Sequence, residues 1–474
     1  MVFRNLRVIR FDADVAIVGA GPAGATAALR LASIGHSVVI VEAAPFPRTH
    51  VGESLTSRVV ELFDLLGVRE QMESAGFLRP CGAMVHWAGE TRLREDFAEG
   101  FQVDRARFDA ILLGAAIRHG ARILQPSRVA AVRRLGCGGW TLKLGAGETE
   151  LHVRFLVDAA GRRGCLPGAQ RINLQPVTIA LYGYWTNTGI TGAETRVEAG
   201  GGHWYWGAPL PDGSVNASVF ISPRLRAERR CRALRDLYLQ LLTESRLLSE
   251  CLRGSLRDSV RACDATASRT LDVAGDDWIR IGEAALAFDP LSSQGVQNAI
   301  AGGFQGAAVA HTLLMDIGMR EAAIELARDR VREGAESHTA TLNSFYRAQA
   351  KVAPRPFWLD RAEDRWCTPH PAATEVAPAL TPDTPLHLDP ATNGRQRPVL
   401  AGDRIVSQPA LQLPGRRPVA WLEGEELTRL CAVFEDGPSA QQVLEHWSAR
   451  YDRPRAAGIL SMLWKERFLR SAAA

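Results

Sequence analysis

Lysine is almost absent from this sequence. Of 56 basic residues in 474, only Lys143, Lys351 and Lys465 are lysines. Arginine stays protonated where an ε-amine need not, so chemistry that requires an amine has few candidates here. Long apolar runs are missing too: no stretch approaches the roughly eighteen residues a membrane helix needs, so no membrane partner is expected. A hydrophobic content of 46% and a charged content of 23% are ordinary for a globular chain. The eight cysteines (Cys81, Cys137, Cys165, Cys231, Cys251, Cys263, Cys367 and Cys431) form no C-x-x-C pair and no Cys/His cluster. That excludes a disulfide framework and a structural zinc site, and no metal is expected. A net charge of only +4 implies no nucleic-acid partner. The first ten residues place charges on both sides of short apolar pieces, unlike a signal peptide, so a cytoplasmic location is expected.

What is present is organisation. The length exceeds one compact core and suggests two or three domains. Residues 12–42 read as strand, turn, helix, strand, with an apolar Asp14–Val18, an Ala-rich Ala23–Gly35 and an apolar Val38–Val41. A β-rich block covers Thr178–Trp185 and Trp204–Ile221, followed by a helical stretch expected over Leu225–Leu252. Trp278–Ile300 again reads strand, loop, helix, and helix continues to about Ala350. Twelve of the 25 prolines then fall between Pro354 and Pro418, which predicts an extended strap on the surface. Beyond it, Glu423–Phe434, Ser439–Arg450 and Pro454–Arg467 show helical apolar spacing, with Ser439 and Gln442 placed to form a capping box.

The chemistry begins at Gly19-Ala-Gly21-Pro22-Ala23-Gly24, between a strand and a helix. Gly19 permits the tight turn, Gly21 lets the backbone approach a pyrophosphate, and Gly24 lets helix and strand pack closely. The helix N-terminus offers free N–H groups and a positive dipole end to phosphates. Glu42 ends the next strand, where it can accept hydrogen bonds from an adenosine ribose. Two further turns follow: Leu156-Val-Asp158-Ala-Ala-Gly161, and Gly282-Glu283 leading to Asp289-Pro290. Gly295-Val296-Gln-Asn opens another helix, whose N–H groups can stabilise negative charge on a bound cofactor.

In this order and spacing, these three patterns resemble the flavoprotein hydroxylases. The resemblance implies an α/β chain of the glutathione-reductase-like FAD-binding fold, with a β-sheet substrate domain. The corresponding boundaries are 1–175 with 264–350 for a discontinuous FAD-binding domain, and 176–263 for the substrate domain. A Pro-rich strap over 351–420 and a small helical or winged-helix C-terminal domain over 421–474 complete the expectation. The third motif departs from the family's usual Gly-Asp, since Glu283 is a longer acid. The resemblance also implies flavin contacts from Arg48, Ser54 and Arg105.

Val51-Gly52-Glu53-Ser54-Leu55 and Trp204-Tyr-Trp206-Gly-Ala-Pro209 narrow the branch, because both are similar to segments of the halogenase-like flavin-dependent monooxygenases. Halogenases of that group use a lysine about thirty residues after the Gly-Glu-Ser segment, where this chain has Arg79. The glutamate that tryptophan halogenases carry is Ser292 here. Direct oxygen transfer from a flavin C4a-hydroperoxide to an aromatic ring is the chemistry that remains, with O2 as co-substrate. Glu53 and Asp289 are the acids nearest the expected flavin and are the catalytic candidates. Trp185, Trp204 and Trp206 are candidates for a wall that stacks the substrate ring.

Within this branch the sequence looks most like the flavoproteins of tryptophylquinone biogenesis, such as the monooxygenase of quinohemoprotein amine dehydrogenase maturation. That implies hydroxylation of a tryptophan in a cross-linked precursor polypeptide, a small quinoprotein subunit. Residues 423–469 resemble the PqqD-like modules that bind precursor peptides, which suits a polypeptide substrate. Electrons come from NAD(P)H or from a separate flavin reductase; no second nucleotide-binding turn marks the route. A hydroxylase or halogenase of a small aromatic metabolite, and a non-catalytic FAD-binding maturation chaperone, stay open as alternatives.

Overall fold

In the computed structural model of this chain, residues 10–95, 99–136, 138–145, 149–229, 233–363, 379–413, 418–422 and 424–471 are described. Cys137, Cys231, Cys367 and most of the opening decapeptide lie outside them. The chain divides into two compact units. The first comprises residues 1–320, 327–368 and 402–404, and the second residues 321–326, 369–401 and 405–474.

The first unit starts with β1 (Ala13–Val18), α1 (Pro22–Ser33) and β2 (Val38–Val41). The two strands are almost wholly buried apolar runs, as expected of a parallel sheet covered on both faces. Pro22 sits at the start of α1, where its missing N–H costs nothing. β1 is flanked by β2 and by β3 (Thr149–Asp158), both parallel to it, with Val18 opposite Val41 and Asp158. Beyond β3 lies Trp278–Arg280, also parallel, with Asp158 opposite Arg280. Four strands therefore end at one level, and the turns that follow all emerge on one edge of the sheet. Ligands of open α/β sheets bind at this carboxyl edge.

α1 packs against α2 (Arg105–Arg118) and α3 (Gly295–Met315). Closeness to α3 depends on Gly303, where a Cβ would stand 2.4 Å from the Ala23 carbonyl oxygen.

A second, eight-stranded sheet contains β4 (Ile179–Thr186), β5 (Trp204–Pro209) and β6 (Val215–Ile221), with β6 in the middle of the three and antiparallel to both. Strand residues alternate between faces. Leu181, Trp185, Tyr205 and Val219 pack on the helix Leu234–Thr243. Ala180, Trp204, Trp206 and Phe220 face the other way, toward Trp87, α4 (Arg320–Val352) and α5 (Pro356–Ala362).

Two helical expectations need correction. Leu225–Leu252 is not one helix: Pro223–Glu228 and Leu234–Thr243 are separate helices, followed by a 3-10 turn over Ser249–Arg253. Nor does the proline-rich segment run as a plain strap from residue 351. α5 inserts Phe357, Trp358 and Arg361 into the core of the first unit, all buried, with Pro356 at the helix start rather than breaking it. Farther along, β7 (Asn393–Ala401) and β8 (Arg404–Gln412) pair as a hairpin.

In the second unit, α6 (Leu427–Cys431), α7 (Ala440–Ser448) and α8 (Arg453–Lys465) bury Leu427, Leu430, Cys431, Phe434, Val443 and Trp447 in one cluster, as their spacing predicts. Both reciprocal bonds of the Ser439/Gln442 capping box are formed. No helix among the described residues is long and apolar enough to cross a membrane.

Candidate functional site

The glycine turn after β1 has the shape a dinucleotide needs. Gly19 has φ +103°, and a Cβ there would lie 2.4 Å from the Ala159 carbonyl oxygen. A Cβ on Gly24 would lie 2.0 Å from the Gly19 carbonyl oxygen. At Gly21 the nearest atom is only the Arg48 guanidinium, 3.4 Å away, so this face of the turn is open to a ligand. Ala23 follows Pro22 in the first turn of α1, and both are buried. Glu42 Oε2 accepts from the Ala20 N–H at 2.8 Å and Oε1 from the Ala44 N–H at 2.9 Å, which fixes the carboxylate beside the turn.

Arg48 stands between two acids, its Nε 3.9 Å from Glu42 and its Nη2 3.8 Å from Asp109. Its Nε is buried without a hydrogen-bond partner. A half-buried cation whose covered Nε is unsatisfied, facing an open glycine turn at a helix N-terminus, suits a pyrophosphate. FAD fits these residues: Gly19, Gly21, Gly24 and Arg48 could hold its pyrophosphate and Glu42 its ribose.

Arg105 acts as an internal brace. Buried in α2, it makes a bidentate pair with Asp109 four residues on, at 3.0 and 3.1 Å, and donates to the carbonyls of Val51 and Gly52 at 2.9 and 3.2 Å. Burial alone would lower its pKa, but Asp109 outweighs burial and raises it. Its guanidinium is thus committed to positioning the Gly52–Thr56 segment. Gln297, in the first turn of α3, donates to the Thr56 carbonyl at 3.1 Å, so this segment lies beside the α3 N-terminus, with Val296 near Gly52. Gln297 Oε1 is buried without a partner, and Gly295 has open space where a Cβ would stand. Ser54 Oγ accepts from Gln102 at 3.3 Å.

Glu53 is 2% exposed and accepts three hydrogen bonds: from the Tyr184 hydroxyl at 2.8 Å, Asn216 Nδ2 at 3.0 Å and the Gly52 N–H at 2.8 Å. Burial raises its pKa, against the lowering effect of these donors and of Arg105. Asp289 caps the short turn Pro290–Ser292, accepting from the Leu291 N–H at 3.0 Å and from the Tyr346 hydroxyl at 2.8 Å. Its own N–H donates to His338 Nε2 at 2.8 Å. Burial raises the Asp289 pKa and lowers that of His338 to about 3.

Several expected residues are placed differently from their assigned roles. Asp158 is fully buried and accepts from the N–H groups of Ala160, Cys165 and Leu166 at 3.2, 2.8 and 3.1 Å, so its carboxylate holds the turn through Gly161 rather than facing a cofactor. Gly282 (φ +58°) brings the third turn close to Ala23, whereas Glu283 forms an ion pair with Arg162 at 3.3 Å. The tryptophan wall is divided by the sheet. Trp185 lies on the far face, stacked on Tyr238 and donating to its hydroxyl at 2.8 Å. Trp204 is fully enclosed, its ring 3.7 Å from Phe220 at an interplanar angle of 5°. Trp206 is 8% exposed on the same face as Trp204. Sequence reasoning counts Tyr184 only with the aromatic-rich strand Tyr182–Trp185 of the substrate wall, and it missed Asn216, Tyr346 and His338, for which no local motif exists. Asp109 alone had a signal, its four-residue spacing from Arg105 on a helix.

Residues 12–208 match the family model described as an FAD binding domain. Over these residues the chain is similar to that family. Over 308 residues, 60% of this chain, the sequence is 32% identical to a tryptophan 2-halogenase of Chondromyces crocatus. The chain spans 58% of that relative's length. Among solved structures, the flavin-dependent halogenase CmlS superposes with a TM-score of 0.81 at 20% identity, over 98% of this chain and 97% of its own. The peptidyl tryptophan dihydroxylase QhpG superposes with a TM-score of 0.71 at 24% identity, over 96% of this chain and 99% of its own. The fold is therefore like that of these two flavoproteins, with the segment that matches the FAD binding domain family on its N-terminal side.

Proposed function

We propose that this chain is an FAD-dependent monooxygenase that hydroxylates an aromatic ring, and that the ring is a tryptophan within a polypeptide. The observation that carries the reading is Glu53. It is a buried carboxylate, raised in pKa by burial and held by three donors, at the second sheet and linked to the glycine turn through Arg105, Asp109 and Arg48. Such a group can hold or accept a proton from a reacting ring or its N–H. When bound, the flavin supplies oxygen activation. The protein's part is to exclude water, to orient the ring beside Trp206, and to move a proton at Glu53 Oε1 or Oε2. Asp289, braced by Tyr346 and His338, is the second candidate acid, and its fixed position gives the Pro290–Gly295 turn its shape.

Arg79 and Ser292 support oxygen transfer over halogenation. The Arg79 guanidinium lies 3.6 Å from the Phe101 ring and donates to the Glu99 carbonyl at 3.0 Å, and arginine does not form a haloamine. Ser292 Oγ donates to the Asp289 carbonyl at 3.0 Å. A polypeptide substrate is favoured by the likeness to a peptidyl tryptophan dihydroxylase, and by a separate C-terminal unit with its own core. Electrons would then come from NAD(P)H or a flavin reductase partner, and oxygen from O2. The curated halogenase relatives favour a second reading, halogenation of a small aromatic compound.

Intact mass spectrometry decides between them. The FAD-loaded protein is given a reductant, 18O2 and bromide, with either a tryptophan-containing quinoprotein-subunit precursor or free tryptophan. A labelled oxygen on the polypeptide alone is expected. A bromine isotope pattern on either substrate, or label on the free amino acid alone, discards the reading.

A further inference from the structure

A cavity opens in the first unit, lined by none of the residues of the glycine turn. It has a volume of about 850 Å³ and lies at the end of the second sheet where β4 begins and β6 ends. Glu53 is held at the other end of the same two strands, by Tyr184 and Asn216, which face each other in register. From Ile179 to Tyr184 the strand advances five residues, about 17 Å. A ring beside Glu53 therefore cannot itself fill this cavity, whereas five or six residues of extended chain can join the two places.

The cavity wall contains polar groups that the protein leaves unsatisfied. Gln175 is fully buried there, and neither its Oε1 nor its Nε2 has a hydrogen-bond partner. Arg361, also buried in the wall, donates to Thr178 Oγ1 at 2.6 Å and to the Phe357 carbonyl at 3.1 Å, yet its Nε has no partner. Orphaned buried donors and acceptors are costly, and a ligand that reaches them recovers that cost. At the mouth, Arg224 and Arg355 are exposed and form no ion pair among the described residues. Arg229 is different, since Glu244 engages it at 2.8 Å. Glu228 is also exposed on the rim. The carboxamide of Gln175 offers one donor and one acceptor side by side, the complement of a peptide group. The two guanidiniums at the mouth complement carboxylates.

We propose that this cavity anchors an acidic segment of the polypeptide substrate. A backbone amide would sit on Gln175 and a carboxylate on Arg224 and Arg355, roughly five residues along the chain from the ring that is modified. The proposal rests on the polypeptide-substrate reading and adds where that substrate is gripped. Rotation of Gln175 toward the cavity accompanies binding, because its amide atoms are covered in this structure.

Fluorescence anisotropy on the full-length FAD-loaded protein, at low ionic strength and without reductant, tests it. The probe is a fluorescein-labelled hexapeptide of alternating glycine and aspartate, its C-terminus amidated; an asparagine counterpart and free succinate serve as controls. The aspartate peptide is expected to bind, with Kd raised about tenfold in Gln175→Leu and about tenfold in the double variant Arg224→Gln/Arg355→Gln. Bound flavin absorbance, which should be unchanged, reports folding of each variant. Equal binding of the asparagine peptide, indifference to the surface double variant, or no binding at all overturns the anchor. Displacement by succinate as effective as by unlabelled peptide reassigns the cavity to a free dicarboxylate. Because no turnover is involved, peptide binding without hydroxylation would discard the reaction and keep the site. Hydroxylation of the precursor with unchanged KM in the double variant would do the reverse.

Discussion

The Tyr184 hydroxyl donates to Glu53 Oε1 at 2.8 Å and so ties the end of β4 to the segment beside the FAD-binding turn. This bond joins the second sheet to the segment that leads into the Ser54–Leu55 strand, at the point where proton transfer is proposed. Tyr184→Phe removes one donor from a buried carboxylate and is expected to lower stability by about 2 kcal/mol. Glu53 is raised in pKa by burial, and the lost donor raises it further. The deficit is therefore larger where the carboxyl is charged, so it grows from pH 5 to pH 8 as ionisation proceeds. If ionised Glu53 is needed for turnover, the acidic limb of the pH–rate profile moves upward in the variant. Urea denaturation at both pH values and the pH dependence of hydroxylation check this, and a stability loss equal at the two values counts against it.

The glycine turn gives a paired test. Gly24→Ala drives a methyl group to 2.0 Å from the Gly19 carbonyl oxygen, so the variant should fail to hold FAD or fail to fold. At Gly21 the same methyl meets only the Arg48 side chain at 3.4 Å, so Gly21→Ala should fold. It should bind FAD at least tenfold more weakly, because the methyl occupies the face offered to the pyrophosphate. Circular dichroism and flavin titration separate the two outcomes; full FAD affinity in Gly21→Ala would contradict the assigned face.

Trp185 and Trp206 should behave oppositely. Trp185→Phe loses the bond to Tyr238 and some core volume, and is expected to cost 1–3 kcal/mol, roughly, with KM unchanged. Trp206→Leu should raise KM for the polypeptide several-fold with a smaller effect on thermal stability. A KM change confined to the Trp185 variant would reverse the assignment of faces.

Acid should weaken this fold through His338. Burial lowers its pKa from 6.5 to about 3, so between those values the unfolded chain takes up a proton that the folded chain refuses. Stability is complete above pH 6.5 and declines as the pH falls, by about 1.4 kcal/mol per unit from this residue. His338→Gln keeps an acceptor for the Asp289 N–H and removes the titration. From pH 6.5 to 5 its stability should fall by about 2 kcal/mol less than the parent's, as measured by denaturant unfolding.

In the second unit, Ser439→Ala breaks half of the capping box and should cost about 1 kcal/mol in the transition of that unit alone. Differential scanning calorimetry that shows the loss in both transitions, or in neither, would contradict the independence of its core.

The features legible in the sequence were those written locally. The glycine turn, Glu42 and the capping box each lie within one short stretch, where spacing and backbone geometry determine one another. Glu53 was legible as an acid, but two of its three donors come from 131 and 163 residues away and leave no pattern. The tryptophan wall failed for a different reason. Tyr184 and Trp185 are adjacent on a strand, so period-two alternation sends them to opposite faces, and counting aromatics together hid this. Proline content misplaced α5, because a proline at a helix start is read from sequence as a break. Asp158 looked like a cofactor ligand because its motif is, although its carboxylate is consumed by three backbone N–H groups of the turn.

α5 also bears on how the protein is made. Trp358 is fully buried against Trp87, and Arg361 reaches Thr178, so contacts 183 and more residues apart close the first core. A ribosome must therefore deliver about three quarters of the chain before that core can be sealed. Until then the apolar face of β5 and β6 stays uncovered on the nascent polypeptide, a window in which chaperone capture competes with aggregation.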